Sequence, residues 1–150
     1  MRVVVQRVSH ASVTVEGEVI GKIGKGYLLL VGFSGDDNEE IIRYFVKKIM
    51  DLRIFEDENG KMNLSIRDVQ GEILSVSQFT LYADCRKGNR PGFTDAAGAA
   101  EAAVLYDLFN SVLREQTEIQ TGQFQADMKV ELLNDGPVTI ILDSRDLIRK

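Results

Sequence analysis

The sequence predicts an α+β fold, a strongly curved, mostly antiparallel β-sheet or barrel carrying two main helices in a single domain. Short runs that alternate apolar and polar residues, or are wholly apolar, recur along the chain and add up to about nine strands. Only two segments carry apolar residues at helical spacing, and they interrupt the strands instead of alternating with them as a βαβ series would. In addition, Asn134-Asp135-Gly136-Pro137-Val138-Thr139 sets a Gly-Pro pair between two strand-like runs. Proline there removes a ladder hydrogen bond, so the pair marks a loop or tip.

Val3 and Val5, then Val13 and Val15, fall at period-two positions, and Glu16-Gly17-Glu18 supplies a turn before Val19 to Ile23. On this reading His10, the single histidine, sits in the turn after the first strand as a solvated loop residue. Gly24-Lys25-Gly26 leads into Tyr27 to Phe33, a continuous apolar run short enough to be a central strand buried on both faces. Asp37 followed by Glu40 has the form of a capping box. Ile41, Ile42, Phe45, Val46, Ile49 and Leu52 then recur at helical spacing, which predicts a helix over 38–52.

Arg53-Ile54-Phe55 and Met62-Asn63-Leu64 flank a segment ending in Asn59-Gly60, a turn signal of the kind that closes hairpins. Ile73 to Ser77 reads as another buried strand. After the Pro91-Gly92 break, Val104, Leu105, Leu108, Phe109 and Val112 mark a second helix over 97–116. Met128 to Leu133 and Val138 to Leu142 are the last strands. Chain physics favours a trans bond at Gly136-Pro137, because only about 5% of X-Pro bonds in folded proteins are cis.

With 150 residues, 44% of them hydrophobic and 27% charged, the composition fits one globular domain with no linker or repeat. No segment approaches the ~20 apolar residues of a membrane span, and the start has no signal-peptide pattern, so the expected location is the cytoplasm. Cys85 is the one cysteine, which excludes an internal disulfide framework. A net charge of −5 argues against broad nucleic-acid binding, DNA included. Arg86-Lys87-Gly88-Asn89-Arg90 is the densest positive cluster. It is either a solvated loop or a contact to one short anionic part of a ligand.

Ser75 to Asp84 begins as a strand and gathers hydroxyl and amide side chains at that strand's end. A Ser or Thr nucleophile there needs an adjacent base, and bases are scarce. There is no His-x-x-x-His or Cys-x-x-Cys spacing for a metal and no glycine-rich phosphate loop. What the segment offers is donors: the Gln78 amide, the Ser77 and Thr80 hydroxyls and backbone N–H groups, which can stabilise a developing oxyanion. A strand end satisfying its own polar groups is the plainer alternative.

Ser77-Gln78-Phe79-Thr80 together with Asn134-Asp135-Gly136-Pro137-Val138-Thr139 resembles the motif pair of the D-aminoacyl-tRNA deacylases, chiral proofreading enzymes of translation. The resemblance covers essentially the whole chain. It includes Val5-Gln6-Arg7-Val8, Ala11-Ser12-Val13, Leu52-Arg53-Ile54-Phe55, Gly60-Lys61-Met62-Asn63 and Arg86 to Pro91. It implies a cofactor-free homodimer that hydrolyses the ester between a D-amino acid and the terminal adenosine of tRNA. The implied partners are thus an aminoacyl-tRNA acceptor end and a second copy of the chain, with no membrane or DNA.

The resemblance further implies that Gly136-Pro137 is cis and enters the partner subunit's pocket, where its carbonyl oxygens repel the side chain of an L-amino acid. Glycine escapes that rejection, so glycyl-tRNA(Ala) is an implied second substrate. Ser77, Gln78, Phe79 and Thr80 would line the catalytic pocket, the Phe79 N–H facing the ester. Phe124 and Met128 would border the adenine, and Arg7 would hold carbonyl oxygens of the Gly-Pro loop. Gly92 and Gln125 depart from the family pattern, which often has Ser and Gly there. RNA-assisted attack, through the terminal ribose 2′-hydroxyl next to the ester, fits the residues present better than a Thr80 nucleophile. Two other readings stand beside this one: a non-catalytic dimeric RNA-binding module using Arg86 to Arg90, and an esterase with Thr80 or Ser77 as nucleophile.

Overall fold

Alternation along the first residues builds the sheet's spine. A computed structural model describes residues 1–148, and in it Val3 and Val5 are fully buried, as is Val13 farther along the same strand. That strand, β1 (Arg2–Val15), pairs antiparallel with β2 (Glu18–Ile23) through its second half and with β3 (Gly26–Gly32) through its first. His10 therefore lies within β1 and not in a turn after it, exposed and opposite Leu133. The turn comes after Val15, where Glu16 and Gly17 take positive φ values of 50° and 80°.

The wholly apolar β3 is central, with neighbours on both edges: β1 antiparallel and β6 (Glu72–Ser77) parallel. β6 in turn pairs parallel with β7 (Ile119–Thr121). Gly26 is needed where β3 starts, because a Cβ there would lie 1.8 Å from the Glu72 carbonyl oxygen. The sheet is thus mixed, with antiparallel pairing in the majority as expected. β2 closes back toward β7, so that a Cβ on Gly21 would be 3.1 Å from the Thr121 carbonyl oxygen, and the order β2-β1-β3-β6-β7 forms a nearly closed barrel. β4 (Phe55–Glu56) and β5 (Met62–Leu64) make the separate hairpin that Asn59-Gly60 predicts, with Gly60 at φ 74°.

The last strand corrects two expectations. Residues 128–133 and 138–142 do not form separate strands but one long strand, β8 (Lys129–Asp143), running antiparallel along β1 and bringing the total among the described residues to eight. Its register jumps from Val8↔Asn134 to Gln6↔Thr139, so Asp135 to Val138 stand opposite Arg7 alone as a wide bulge. The proline is tolerated because the bulge takes it out of the ladder. The Gly136-Pro137 peptide bond is cis, against the trans expectation from chain physics and as the family resemblance implies.

Two helices cover one face of the barrel. In α1 (Glu39–Asp51), Ile42, Phe45, Val46, Ile49 and Met50 are buried in one stripe, while Arg43 pairs with Glu39 and Lys47 with Asp51 on the wet side. Burying a side chain such as Phe45 contributes about 1.5–3 kcal/mol. The cap is Asn38, whose side chain accepts from the Ile41 N–H, and not Asp37. Asp37 is turned inward instead, 2.6 Å from the Met1 amine and accepting from the Ser34 N–H. In α2 (Ala99–Arg114) the buried stripe is Ala102, Leu105, Tyr106, Phe109, Asn110, Val112 and Leu113, whereas Val104, expected inside, is 67% exposed. α1 and α2 pack on each other over one apolar core, and Val8, Ala11, Val13, Ile23, Leu28, Leu74 and Val76 form a second core inside the barrel. A final turn, α3 (Ser144–Leu147), follows β8.

Candidate active site

The polar end of β6 is where the apolar cores run out. β6 leaves the sheet at Ser77, beside Val31 of β3, and the Gln78 N–H donates to the Val31 carbonyl at 2.7 Å. Gly32 permits this approach, since a Cβ there would lie 3.0 Å from the Gln78 carbonyl oxygen. The chain then turns at once into a short 3-10 segment, Phe79–Tyr82. The first N–H groups of such a turn have no partner inside it, and the Phe79 amide, at its start, is one of them.

A cavity of about 770 Å³ opens here, lined by Ser77, Gln78, Phe79, Phe93, Phe124 and Met128 together with small and apolar residues of β3 and the start of α2. None of its lining residues is charged. It therefore unites five of the residues singled out in the sequence. Thr80 lies just outside the lining, and its hydroxyl accepts from the Gln78 carboxamide, a group that cannot act as a base. His10 is not among the lining residues either. Gln125 lines the cavity with a left-handed φ of 65°, a conformation in which glycine is the residue of least strain.

Three features of the cavity escaped the sequence reading. Phe93 packs edge-on against Phe79 with ring centroids 4.9 Å apart, forming an aromatic rim. Beneath the floor, the Ser75 hydroxyl donates to Asn110 Oδ1 at 2.8 Å while the Tyr106 hydroxyl donates to the Ser75 carbonyl at 2.8 Å, tying β6 to α2. Burial, only partly offset by these bonds, raises the Tyr106 phenol above its ordinary value, so it acts as a fixed donor. The Tyr106 ring also stacks on Phe124 at 6.1 Å. The available signal was period two: Ser75 and Ser77 share a face of β6, and a serine inside an apolar run must find a partner.

Arg7, Gly136 and Pro137 form a separate group away from this cavity. Gly136 and Pro137 are exposed, while Arg7 is buried under them and donates from Nε to the Asp135 carbonyl at 3.0 Å and from Nη1 to the Ile54 carbonyl at 2.7 Å. Asn134 closes the bulge from the other side, its carboxamide donating to the carbonyls of Arg7 and Val138, both at 3.0 Å. The Gly-Pro tip is thus held rigidly outward.

A neutral, aromatic-rimmed cavity with amide and hydroxyl groups at a strand end, on a nearly closed mixed sheet, is an arrangement that can bury and hydrogen-bond a small ligand. Comparison with known proteins narrows this. The D-Tyr-tRNA(Tyr) deacylase family model matches residues 4–143. Two relatives named D-aminoacyl-tRNA deacylase, from Limosilactobacillus reuteri strains DSM 20016 and JCM 1112, are each 60% identical over 144 residues, covering 95% of this chain and 99% of theirs. A solved c-Myc DNA unwinding element binding protein superposes with a TM-score of 0.91 at 47% identity, over 96% of this chain and 99% of its own. A probable eukaryotic D-amino acid tRNA deacylase shares the fold, with a TM-score of 0.82 at 18% identity over 94% and 97% of the two chains. The chain belongs to the D-Tyr-tRNA(Tyr) deacylase family and is an enzyme of the hydrolase class.

Proposed function

We propose that this hydrolase cleaves the ester between a D-amino acid and the terminal adenosine of tRNA, releasing free tRNA and a D-amino acid, and that it also clears glycine from tRNA(Ala). The observation that carries this reading is a neutral cavity lined by Ser77, Gln78 and Phe79 together with Phe124 and Met128. An aminoacyl-adenosine presents an apolar base face and a polar ester, and the cavity lining combines aromatic and thioether surface with hydroxyl, carboxamide and backbone hydrogen-bonding groups. The reaction belongs with translation, hence with the cytoplasm. No helix among the described residues is long and apolar enough to cross a membrane.

The nucleophile in this proposal is water assisted by the 2′-hydroxyl of the terminal ribose: water adds to the ester carbonyl, its proton passes by way of the 2′-hydroxyl to the departing 3′-oxygen, and the D-amino acid leaves as the free acid while the tRNA regains its 3′-hydroxyl. Thr80 is already engaged by Gln78, and no histidine lines the cavity. The protein's part is to hold the ester beside that hydroxyl and to offer the Phe79 N–H to the developing oxyanion. Selectivity is assigned to Gly136 and Pro137 of a second copy. They are exposed, do not line the cavity of their own chain, and sit on β8, which has a paired neighbour on one edge only. An open strand edge of this length invites a second copy.

The test compares D-tyrosyl-tRNA, L-tyrosyl-tRNA and glycyl-tRNA(Ala) with purified protein. Release of D-tyrosine and glycine with L-tyrosyl-tRNA left intact is the expected result, and equal hydrolysis of both enantiomers, or none, overturns the reading. Replacing the terminal 2′-hydroxyl by hydrogen should abolish cleavage, whereas continued cleavage would point to Thr80 or Ser77. Sedimentation should show a dimer.

A further inference from the structure

The basic cluster Arg86 to Arg90 has no part in the chemistry above, yet it grows out of the cavity wall. Asp84 and Gly92 pair through reciprocal backbone bonds of 2.7 and 2.9 Å, which closes the segment between them into a loop. The residue immediately after this bridge is Phe93, which lines the cavity and packs on Phe79. Arg86 is spent on closing the loop. Its guanidinium grips both oxygens of Asp84 at 2.9 and 2.8 Å, and its N–H bonds Asp84 as well, holding that carboxyl down at about 2. Lys87 and Arg90 are exposed and have no ion pair among the described residues. Gly88 between them has φ 66° and nothing within 4 Å of where a Cβ would stand, so the loop's tip projects free of the molecule.

We propose that Lys87 and Arg90 form a phosphate-binding rim that holds the single-stranded 3′ end of tRNA while its terminal nucleotide occupies the cavity; this rests on the deacylase reading above. The terminal aminoacyl-adenosine that the uncharged cavity would hold carries no phosphate, but each nucleotide leading to it carries a negative charge. A protein with a net charge of −5 repels that strand unless cations meet it locally. Other cations of this region are committed: Arg2 bonds Asp143 and the Leu81 carbonyl, and Lys129 pairs with Asp127. Asp95, the acidic residue nearest along the chain after the bridge, acts electrostatically on Arg86.

The experiment uses the double variant K87A/R90A on the full chain. With D-tyrosyl-tRNA, KM should rise about tenfold with kcat nearly unchanged, the pattern of lost uniform binding. The slope of log kcat/KM against log salt should become shallower by about 1.4, since each contact to a single-stranded phosphate contributes ~0.7. D-tyrosyl adenosine ester, which has no phosphate, should be bound equally by wild type and variant, and K87R/R90K should restore the tRNA parameters. Anisotropy with an uncharged acceptor-end oligonucleotide gives the same loss without turnover. Lost binding there in a protein that hydrolyses nothing would therefore count against the deacylase reading and not against the rim. An unchanged KM and salt slope, or an equal defect on the phosphate-free ester, would overturn the proposal.

Discussion

Gly136 stands at φ 128°, and a Cβ on it would lie 2.8 Å from Val138 Cγ2 and 3.0 Å from Arg7 Nη2. Neither neighbour retreats easily, because the Asn134 carboxamide holds the Val138 carbonyl just before the ladder resumes at Thr139, and Arg7 is fixed to two carbonyls. Gly136→Ala should therefore cost more than about 1 kcal/mol and lower the ratio of D- to L-tyrosyl-tRNA hydrolysis; a denaturant melt and paired rate measurements check this, with wild-type values in both counting against it. Arg7→Lys is a sharper probe of the same tip. It keeps the charge but loses the planar fork that reaches the Asp135 and Ile54 carbonyls together. Loss of these charge-assisted bonds should cost about 1.5–3 kcal/mol, and an Arg7→Lys protein as stable as wild type would show that the grip on the tip is dispensable.

At the scale of elements, β6 and α2 meet through Ser75, Tyr106 and Asn110, and this junction sets where Phe124 lies. Tyr106→Phe removes one buried hydroxyl while keeping the ring. It should cost about 1 kcal/mol and raise KM for D-tyrosyl-tRNA more than it lowers kcat, which steady-state kinetics would show; an effect on kcat alone would place Tyr106 in the chemistry. The elements most legible in the sequence were those with an uninterrupted period. α1 declares itself through Ile42, Phe45, Val46 and Ile49, and β3 through its apolar run. Val104 was misplaced because α2 has more apolar residues than one stripe can bury, and periodicity does not say which are left outside. β8 was divided in two because proline usually ends a strand, whereas here a bulge opposite Arg7 carries it past the ladder. The cis bond was not readable from local preference at all and came only with the family resemblance. Phe93 follows a Pro-Gly break in a polar stretch, where no sequence pattern links it to Phe79, and only the Asp84–Gly92 bridge brings the two together.

For the whole molecule, β8 must lie against β1 along its full length if the tip and the cavity are to keep their relation, and Asp143 secures the far end of that pairing. Burial raises the cost of its charge, but the Arg145 guanidinium and N–H and the Arg2 guanidinium outweigh it, bringing the carboxyl from 3.8 to about 2. A carboxyl whose folded value is depressed contributes stability that is present above its unfolded value and is lost as pH falls through the folded one. The Asp143 contribution should thus be complete above about pH 4 and disappear toward pH 2, and a shift of this size corresponds to roughly 2 kcal/mol. Asp143→Asn should be less stable than wild type by about that amount at pH 7, and the gap should narrow steadily below about pH 4 until the two proteins converge near pH 2. Asp51, Asp57 and Asp84, whose values are also lowered, titrate in both proteins and cancel in the difference. Paired urea melts across this range decide the matter, because a gap that stays constant down to pH 2 would mean that packing at the β1–β8 end, and not the ionised carboxylate, is what Asp143 provides.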